Sequence, residues 1–85
     1  MYRIFANTIR HFREKAEINQ TELALFSGMS QSQVSKLEDG IHLPNYETIE
    51  KLCAAFGISI REFLKYMAMD ILSWVDDIED DEDEE

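Results

Sequence analysis

Hydrophobic residues recur along the chain at the spacing of amphipathic helices. Near the amino terminus, the positions that would share one helical face are Ile4, Phe5, Ile9, Phe12 and Ala16. Arg and Glu residues lie between them, so the pattern predicts a first helix over about residues 3–16. No segment alternates hydrophobic and polar residues as a half-buried strand does. The sequence therefore predicts an all-α protein.

Helix-capping residues divide the rest of the chain. Each glycine follows a run of helix-forming residues, where a left-handed residue ends a helix; the glycines are Gly28, Gly40 and Gly57. Three capping residues stand three positions before a Glu or Gln, which is the spacing of a capping box; they are Asn19, Ser30 and Ser59. A fourth capping residue, Asn45, follows the only proline. These signals predict four more helices, over about residues 20–27, 31–39, 46–56 and 60–77.

The hydrophobic positions of these five helices are sufficient for one compact core. Beyond the first helix they include Leu23, Ala24, Val34, Leu37, Ile49, Leu52, Cys53, Phe56, Ile58, Phe63 and Leu64. A chain of 85 residues leaves little room for an enclosed catalytic cleft, which argues against most enzymes. No arrangement of nucleophile and base, metal ligands or phosphate loop is present. We therefore expect no catalytic residue, no metal site and no cofactor.

The net charge of −10 is unevenly distributed along the chain. Ten of the 18 acidic residues lie from Asp70 onward, where there is no Lys or Arg, and the other eight are matched by eight bases. The body of the protein is thus neutral, and residues 79–85 are expected to form a disordered acidic tail. Cys53, the only cysteine, allows no internal disulfide. Without a signal peptide or a membrane-spanning segment, the chain is expected to be cytoplasmic.

The second and third predicted helices are short and are separated only by Gly28-Met29-Ser30, a turn suited to a sharp helix crossing. Here the sequence resembles the lambda-repressor-like family, also called the Cro-type or XRE family of helix-turn-helix domains. The matching positions are Ile9-Arg10-x-Phe12-Arg13, Asn19-Gln20-x-Glu22-Leu23-Ala24, Gly28-Met29-Ser30, Val34-Ser35-Lys36-Leu37-Glu38-x-Gly40, Pro44, Leu52-x-x-x-Phe56-Gly57-Ile58 and Glu62-Phe63-Leu64. The resemblance implies a five-helix DNA-binding domain over residues 1–66.

The third helix has the composition that a DNA recognition helix needs. Val34 and Leu37 are placed to hold its inner face, while small and polar side chains point outward to base edges. The predicted base contacts are Gln31, Ser32, Gln33, Ser35 and Lys36. By the resemblance, Gln20 contacts a phosphate and Arg13 forms a structural ion pair with Glu38. The predicted contacts to the DNA backbone are Asn19, Gln20, Arg10, Lys15 and His42.

Two observations argue against DNA binding by the third helix. The polar start of the third helix is also what a solvated, capped helix start would show. Many relatives carry basic residues before the proline, whereas this chain has Ile41-His42-Leu43, which reduces the expected affinity for the DNA backbone. The alternative function is a protein-interaction module on the same fold, with weak or no DNA binding.

The fifth predicted helix is longer than its core requires. The hydrophobic positions of a heptad-like seam along it are Ile60, Leu64, Met67, Ile71, Trp74 and Ile78. We expect residues 67–78 to form a dimerisation extension, with an interface that contains Leu64, Met67, Ile71, Trp74 and Ile78. In the alternative, Trp74 folds back onto Tyr2 or Phe5 of its own chain.

By this reasoning the sequence predicts a dimeric repressor that reads a palindromic site in double-stranded DNA. Two recognition helices about 34 Å apart would enter successive major grooves. The acidic tail has three possible roles: it increases solubility, it competes with phosphate for the basic face, or it docks a basic partner protein.

Overall fold

The computed structural model describes residues 2–79, with side chains for residues 2–75. It contains five helices: α1 (Tyr2–Lys15), α2 (Gln20–Ser27), α3 (Gln31–Glu38), α4 (Tyr46–Phe56) and α5 (Ile60–Glu79). All five lie where the sequence predicts them, with ends that differ by at most two residues. The prediction of a five-helix, all-α fold is confirmed, and residues 2–79 contain no strand.

The starts of α2 and α3 are fixed by reciprocal side-chain caps. Oδ1 of Asn19 accepts a hydrogen bond from the Glu22 N–H at 2.7 Å, and the Asn19 N–H donates to the Glu22 carboxylate at 2.9 Å. Ser30 and Gln33 make the same pair of bonds, both 3.0 Å long. Each box satisfies backbone donors that the first helical turn leaves unpaired. The positions of the two helices thus follow from local chemistry.

The turn between α2 and α3 is closed by a glycine in the left-handed conformation. Gly28 has φ +74°, and the N–H of Met29 donates to the Ala24 carbonyl at 3.0 Å. This arrangement ends α2 and reverses the chain within three residues. α1 ends differently, because Glu17 takes the left-handed conformation there, with φ +61°.

One hydrophobic core joins all five helices. Its members are Ile9, Phe12, Leu23, Ala24, Val34, Leu37, Ile49, Leu52, Cys53, Phe56 and Phe63. Phe12 lies at its centre, with ring centroids 6.1 Å from Phe56 and 6.0 Å from Phe63. Ile58 packs at the edge of this core. Leu64, which the sequence pattern assigns to the core, is 42% exposed, so that assignment is wrong.

α5 continues to Glu79, two residues past its predicted end and one residue into the predicted tail. A helix of 20 residues is about 30 Å long, and the described residues extend over 50 × 24 × 22 Å. The other tail residues, 80–85, lie outside the described residues. No described helix is long and apolar enough to cross a membrane.

Candidate nucleic-acid interface

α3 separates its hydrophobic and polar residues cleanly. Val34 has no exposed surface and Leu37 is 5% exposed, so both lie in the core. Four of the five predicted base contacts are exposed and the fifth, Ser35, is half-buried; the exposed four are Gln31, Ser32, Gln33 and Lys36. The helix is therefore held by its inner face, and its polar face is open to solvent. This is the geometry that a recognition helix requires.

The start of α3 is linked to the start of α2 by side chains. Nε2 of Gln31 donates a hydrogen bond to Oγ1 of Thr21 at 2.7 Å. Both residues are exposed, and both belong to the first turns of their helices. Sequence reasoning did not single out Thr21. Only the crossing of α2 and α3 brings these two residues together, ten positions apart in the chain.

A buried carboxylate, that of Glu38, joins the first three helices. Arg13 donates to it twice, from Nε to Oε2 at 2.6 Å and from Nη2 to Oε1 at 3.0 Å. Nε2 of Gln20 donates to Oε1 at 3.1 Å. The Glu38 side chain has no exposed surface, so these donors replace the water that its charge would otherwise require. The hydrogen bond to Glu38 is also the main reason that the pKa of Arg13 is raised.

Arg10 lies at the edge of the same cluster. Its Nη2 donates to the backbone carbonyl of Glu38 at 2.6 Å, and its Nε is 3.7 Å from Oε1 of the carboxylate. The Arg10 side chain remains 43% exposed. The side chains of Arg10 and Gln20 therefore share one partner within the protein, Glu38 at the end of α3. Each side chain has further N–H groups that can serve as donors to another group.

The three other predicted backbone contacts lie in different places. Asn19 caps α2 through its side-chain oxygen. His42 is exposed and lines a shallow groove beside Gln33 and Pro44. Lys15 lines the groove between α1 and α5, near Met69. The structure thus places Asn19 and His42 near the ends of α2 and α3, and Lys15 beside α5.

The predicted dimer residues do not share one exposed face. Leu64 and Trp74 are 42% and 47% exposed, whereas Ile71 is half-buried and Met67 packs against the core. The side chain of Ile78 lies outside the described residues. A regular exposed hydrophobic face is instead formed by residues spaced 4, 4 and 3 apart, which we call the α5 strip: Leu64, Ala68, Leu72 and Val75.

Two short helices that cross over a three-residue turn, with the second presenting a polar face, define a helix-turn-helix protein. A helix-turn-helix family model matches residues 9–63. The chain belongs to this family, which is the XRE-type group that the sequence resembles.

Several known proteins are similar to this chain. The cryptic phage CTXphi transcriptional repressor RstR of Vibrio cholerae is 33% identical over 61 residues, which are 72% of this chain and 55% of that repressor. The clp gene regulator ClgR of Corynebacterium glutamicum has a TM-score of 0.75 at 28% identity, covering 81% of this chain and 90% of that one. The restriction-modification controller protein C.AhdI of Aeromonas hydrophila has a TM-score of 0.69 at 31% identity, covering 73% and 94%.

The chain spans only about 55% of the length of the repressor. These relatives are named as a transcriptional repressor, a gene regulator and a controller protein, which agrees with the expectation that this chain is not an enzyme.

Proposed function

We propose that this chain is a transcriptional regulator that binds double-stranded DNA and reads base edges in the major groove with α3. The observation that carries this proposal is the exposed polar face of α3 above its buried Val34 and Leu37. Family membership supports it, as do the regulatory functions named for the relatives.

The side chains of this face match the chemistry of base edges. A glutamine carboxamide both donates and accepts, which fits the N6 and N7 groups of adenine, and a lysine donates to guanine or to a phosphate. Gln31 and Ser32 stand at the exposed start of α3, and Lys36 lies one turn further along. We therefore assign base contacts to Gln31, Ser32, Gln33, Ser35 and Lys36.

The backbone contacts would come from the rim of this surface. The start of α2 presents N–H groups and the positive end of the helix dipole to a phosphate. Asn19 and Gln20 lie at this start. Arg10 is close to Gln20, because both side chains donate a hydrogen bond to Glu38. His42 lies on the opposite rim, next to Gln33. Lys15 would contribute through the long-range field, since it lies beside α5.

We further propose that the protein is a homodimer and reads a palindromic site. The α5 strip leaves Leu72 56% exposed and Leu64 42% exposed on one helix face, and hydrophobic surface of this regularity is typical of a protein interface. A second copy across a two-fold axis would cover the strip and double the recognition surface. Two α3 helices would then occupy half-sites about 34 Å apart.

Repression is the regulatory outcome that we favour, because the similar phage protein is named as a transcriptional repressor. A small dimer bound at an operator would block access of RNA polymerase in the cytoplasm. For residues 79–85 we propose electrostatic competition with DNA phosphates; the alternatives are that the tail increases solubility or docks a basic partner protein. Deletion of these residues should raise affinity and change the salt dependence if competition occurs, and an unchanged affinity and salt dependence would exclude it.

The decisive experiment is selection from random duplex DNA by the purified chain, followed by gel-shift titration of the enriched duplex. We expect an enriched palindrome whose binding is lost on Gln31→Ala together with Ser32→Ala. Lys36→Gln should weaken binding, whereas Lys51→Gln removes the same charge from an exposed position on α4 and should leave base selection unchanged. Enrichment of no sequence by the wild-type protein would contradict sequence-specific binding.

A protein-interaction module is the second candidate. The exposed Ile41 and Leu43, at 56% and 46%, favour it because they stand where the resemblance leads one to expect basic residues. If no duplex is retained even at low salt, this function replaces the first.

A further inference from the structure

A hydrogen bond between exposed side chains joins the first turn of α2 to the first turn of α3. Gln31 and Thr21 are both exposed, yet Nε2 of Gln31 lies 2.7 Å from Oγ1 of Thr21. A free glutamine side chain samples many rotamers, and ordering it on binding costs free energy. The hydroxyl of Thr21 restricts these rotamers before DNA arrives. The bond therefore acts on the orientation of Gln31.

The donor and acceptor groups of Gln31 remain sufficient for recognition. A carboxamide has two N–H donors and one oxygen acceptor, and Thr21 accepts only one of the donors. The other N–H and the Oε1 atom remain, which is the pair of groups that matches N7 and N6 of adenine.

Gln20, the neighbour of Thr21, is engaged elsewhere. Its Nε2 donates to the buried carboxylate of Glu38 at 3.1 Å, so one of its two N–H groups is already held within the protein. The capping boxes of Asn19 and Ser30 hold the first turns of α2 and α3. The hydroxyl of Thr21 and the carboxamide of Gln31 therefore face each other from two fixed helix starts.

We propose that Thr21 is a positioning residue that orients Gln31 for base reading, an inference that rests on the proposed function. Thr21 acts through Gln31 and reads no base itself. Its removal should reduce discrimination between base pairs at the Gln31 position, and it should leave the other positions of the site unaffected.

The test uses the full chain and the duplex enriched from random DNA. The variants are Thr21→Val, which keeps the shape but cannot accept the bond, Thr21→Ser, which keeps the hydroxyl, and both Gln31→Ala and the double variant Thr21→Val with Gln31→Ala. For each, the dissociation constant is measured for the selected duplex and for duplexes changed at one base pair at a time. Thermal unfolding checks that each variant folds.

For Thr21→Val we expect a loss of about three- to tenfold in discrimination at the base pair that depends on Gln31, which is the range of a single hydrogen bond. Thr21→Ser should restore discrimination, and Thr21→Val should cause no further loss once Gln31 is alanine. Unchanged discrimination in Thr21→Val overturns the inference while leaving the proposed function intact. An equal loss on every duplex, with or without Gln31, also overturns it, because Thr21 would then be a phosphate contact. If the wild-type chain selects no duplex, both the inference and the proposed function fail.

Discussion

Arg13 and Glu38 are joined by two hydrogen bonds, of 2.6 and 3.0 Å, around a carboxylate that has no solvent exposure. Removing Arg13 would leave this buried charge with only the Gln20 amide and with Arg10, whose Nε is 3.7 Å away, and these compensate it only in part. The same carboxylate also accepts from Gln20. The pair therefore links the stability of the domain to the placement of the start of α2.

Arg13→Met should lower the free energy of unfolding by about 3–5 kcal/mol, because the Glu38 carboxylate would lose both charged hydrogen bonds. The double variant Arg13→Met with Glu38→Leu should lose less, since no buried charge remains. Urea unfolding of the two variants and the wild type measures this difference. A loss below about 1 kcal/mol for Arg13→Met would contradict the role assigned to the pair. Because the pKa of Arg13 is raised, the stability that the pair contributes is fully present below the ordinary pKa of arginine. It therefore does not change with pH near neutrality.

The stability of the protein should fall between pH 9 and 11 because of Cys53. Burial, and to a smaller extent the charge of Glu62, raises the pKa of this thiol from 9.0 to about 11. A raised pKa in the folded state gives stability that is fully present below the unfolded value and is lost as the pH rises through the folded value. The loss should be about 2 kcal/mol. Unfolding of wild type and Cys53→Ala from pH 7 to pH 11 isolates the thiol from other groups. If the difference in unfolding free energy between wild type and Cys53→Ala stays constant with pH, the Cys53 thiol does not cause the loss.

Glu17→Gly should stabilise the domain by about 0.5–1 kcal/mol, because Glu17 has φ +61° and this conformation costs an L-residue energy that glycine avoids. Glu17→Ala is the matched control and should give no such gain. Gly57→Ala is the converse, since Gly57 has φ +76° and an added Cβ meets no atom within 4 Å. It should destabilise through backbone strain alone. Urea midpoints rank the variants, and an equal gain for Glu17→Ala would show that the side chain, and not the backbone, is responsible.

Leu72→Glu should dissociate the proposed dimer, because it places a charge within the α5 strip. We expect the monomer–dimer dissociation constant to rise by at least about 30-fold, equivalent to the 2 kcal/mol of an interface hot spot. Sedimentation equilibrium measures it. Ser73→Glu is the control, since Ser73 is exposed on α5 and lies a quarter-turn from Leu72. A wild-type monomer at high concentration would exclude the dimer itself.

The sequence predicts the helices well because their ends depend on nearby residues. Asn19 with Glu22 and Ser30 with Gln33 make the caps that their spacing indicates. The inner face of α3 is also predictable, since Val34 and Leu37 are one turn apart and bury together. These features depend on helical periodicity and first-turn chemistry, which a single segment contains.

The contacts between helices are harder to predict from the sequence. The bonds from Thr21 to Gln31 and from Arg10 to the carbonyl of Glu38 depend on how closely separate helices approach. The exposed face of α5 differs from the heptad-like seam for a related reason. Phe63 is fully buried, and this burial sets the rotation of the whole helix. Leu64 therefore points away from the core, and Leu72 joins it on the exposed face.

The way α3 is anchored has a consequence for engineering. Ser32 is exposed and lies in sequence between the two residues of the capping box, Ser30 and Gln33. The side-chain oxygen of Gln33 completes the box by accepting a hydrogen bond from the Ser30 N–H. Retargeting of the protein to a new DNA sequence is therefore best begun by randomising Ser32, which can change without loss of the helix start. Replacement of Gln33 would alter base preference and folding at once, and a library built there would mix the two effects.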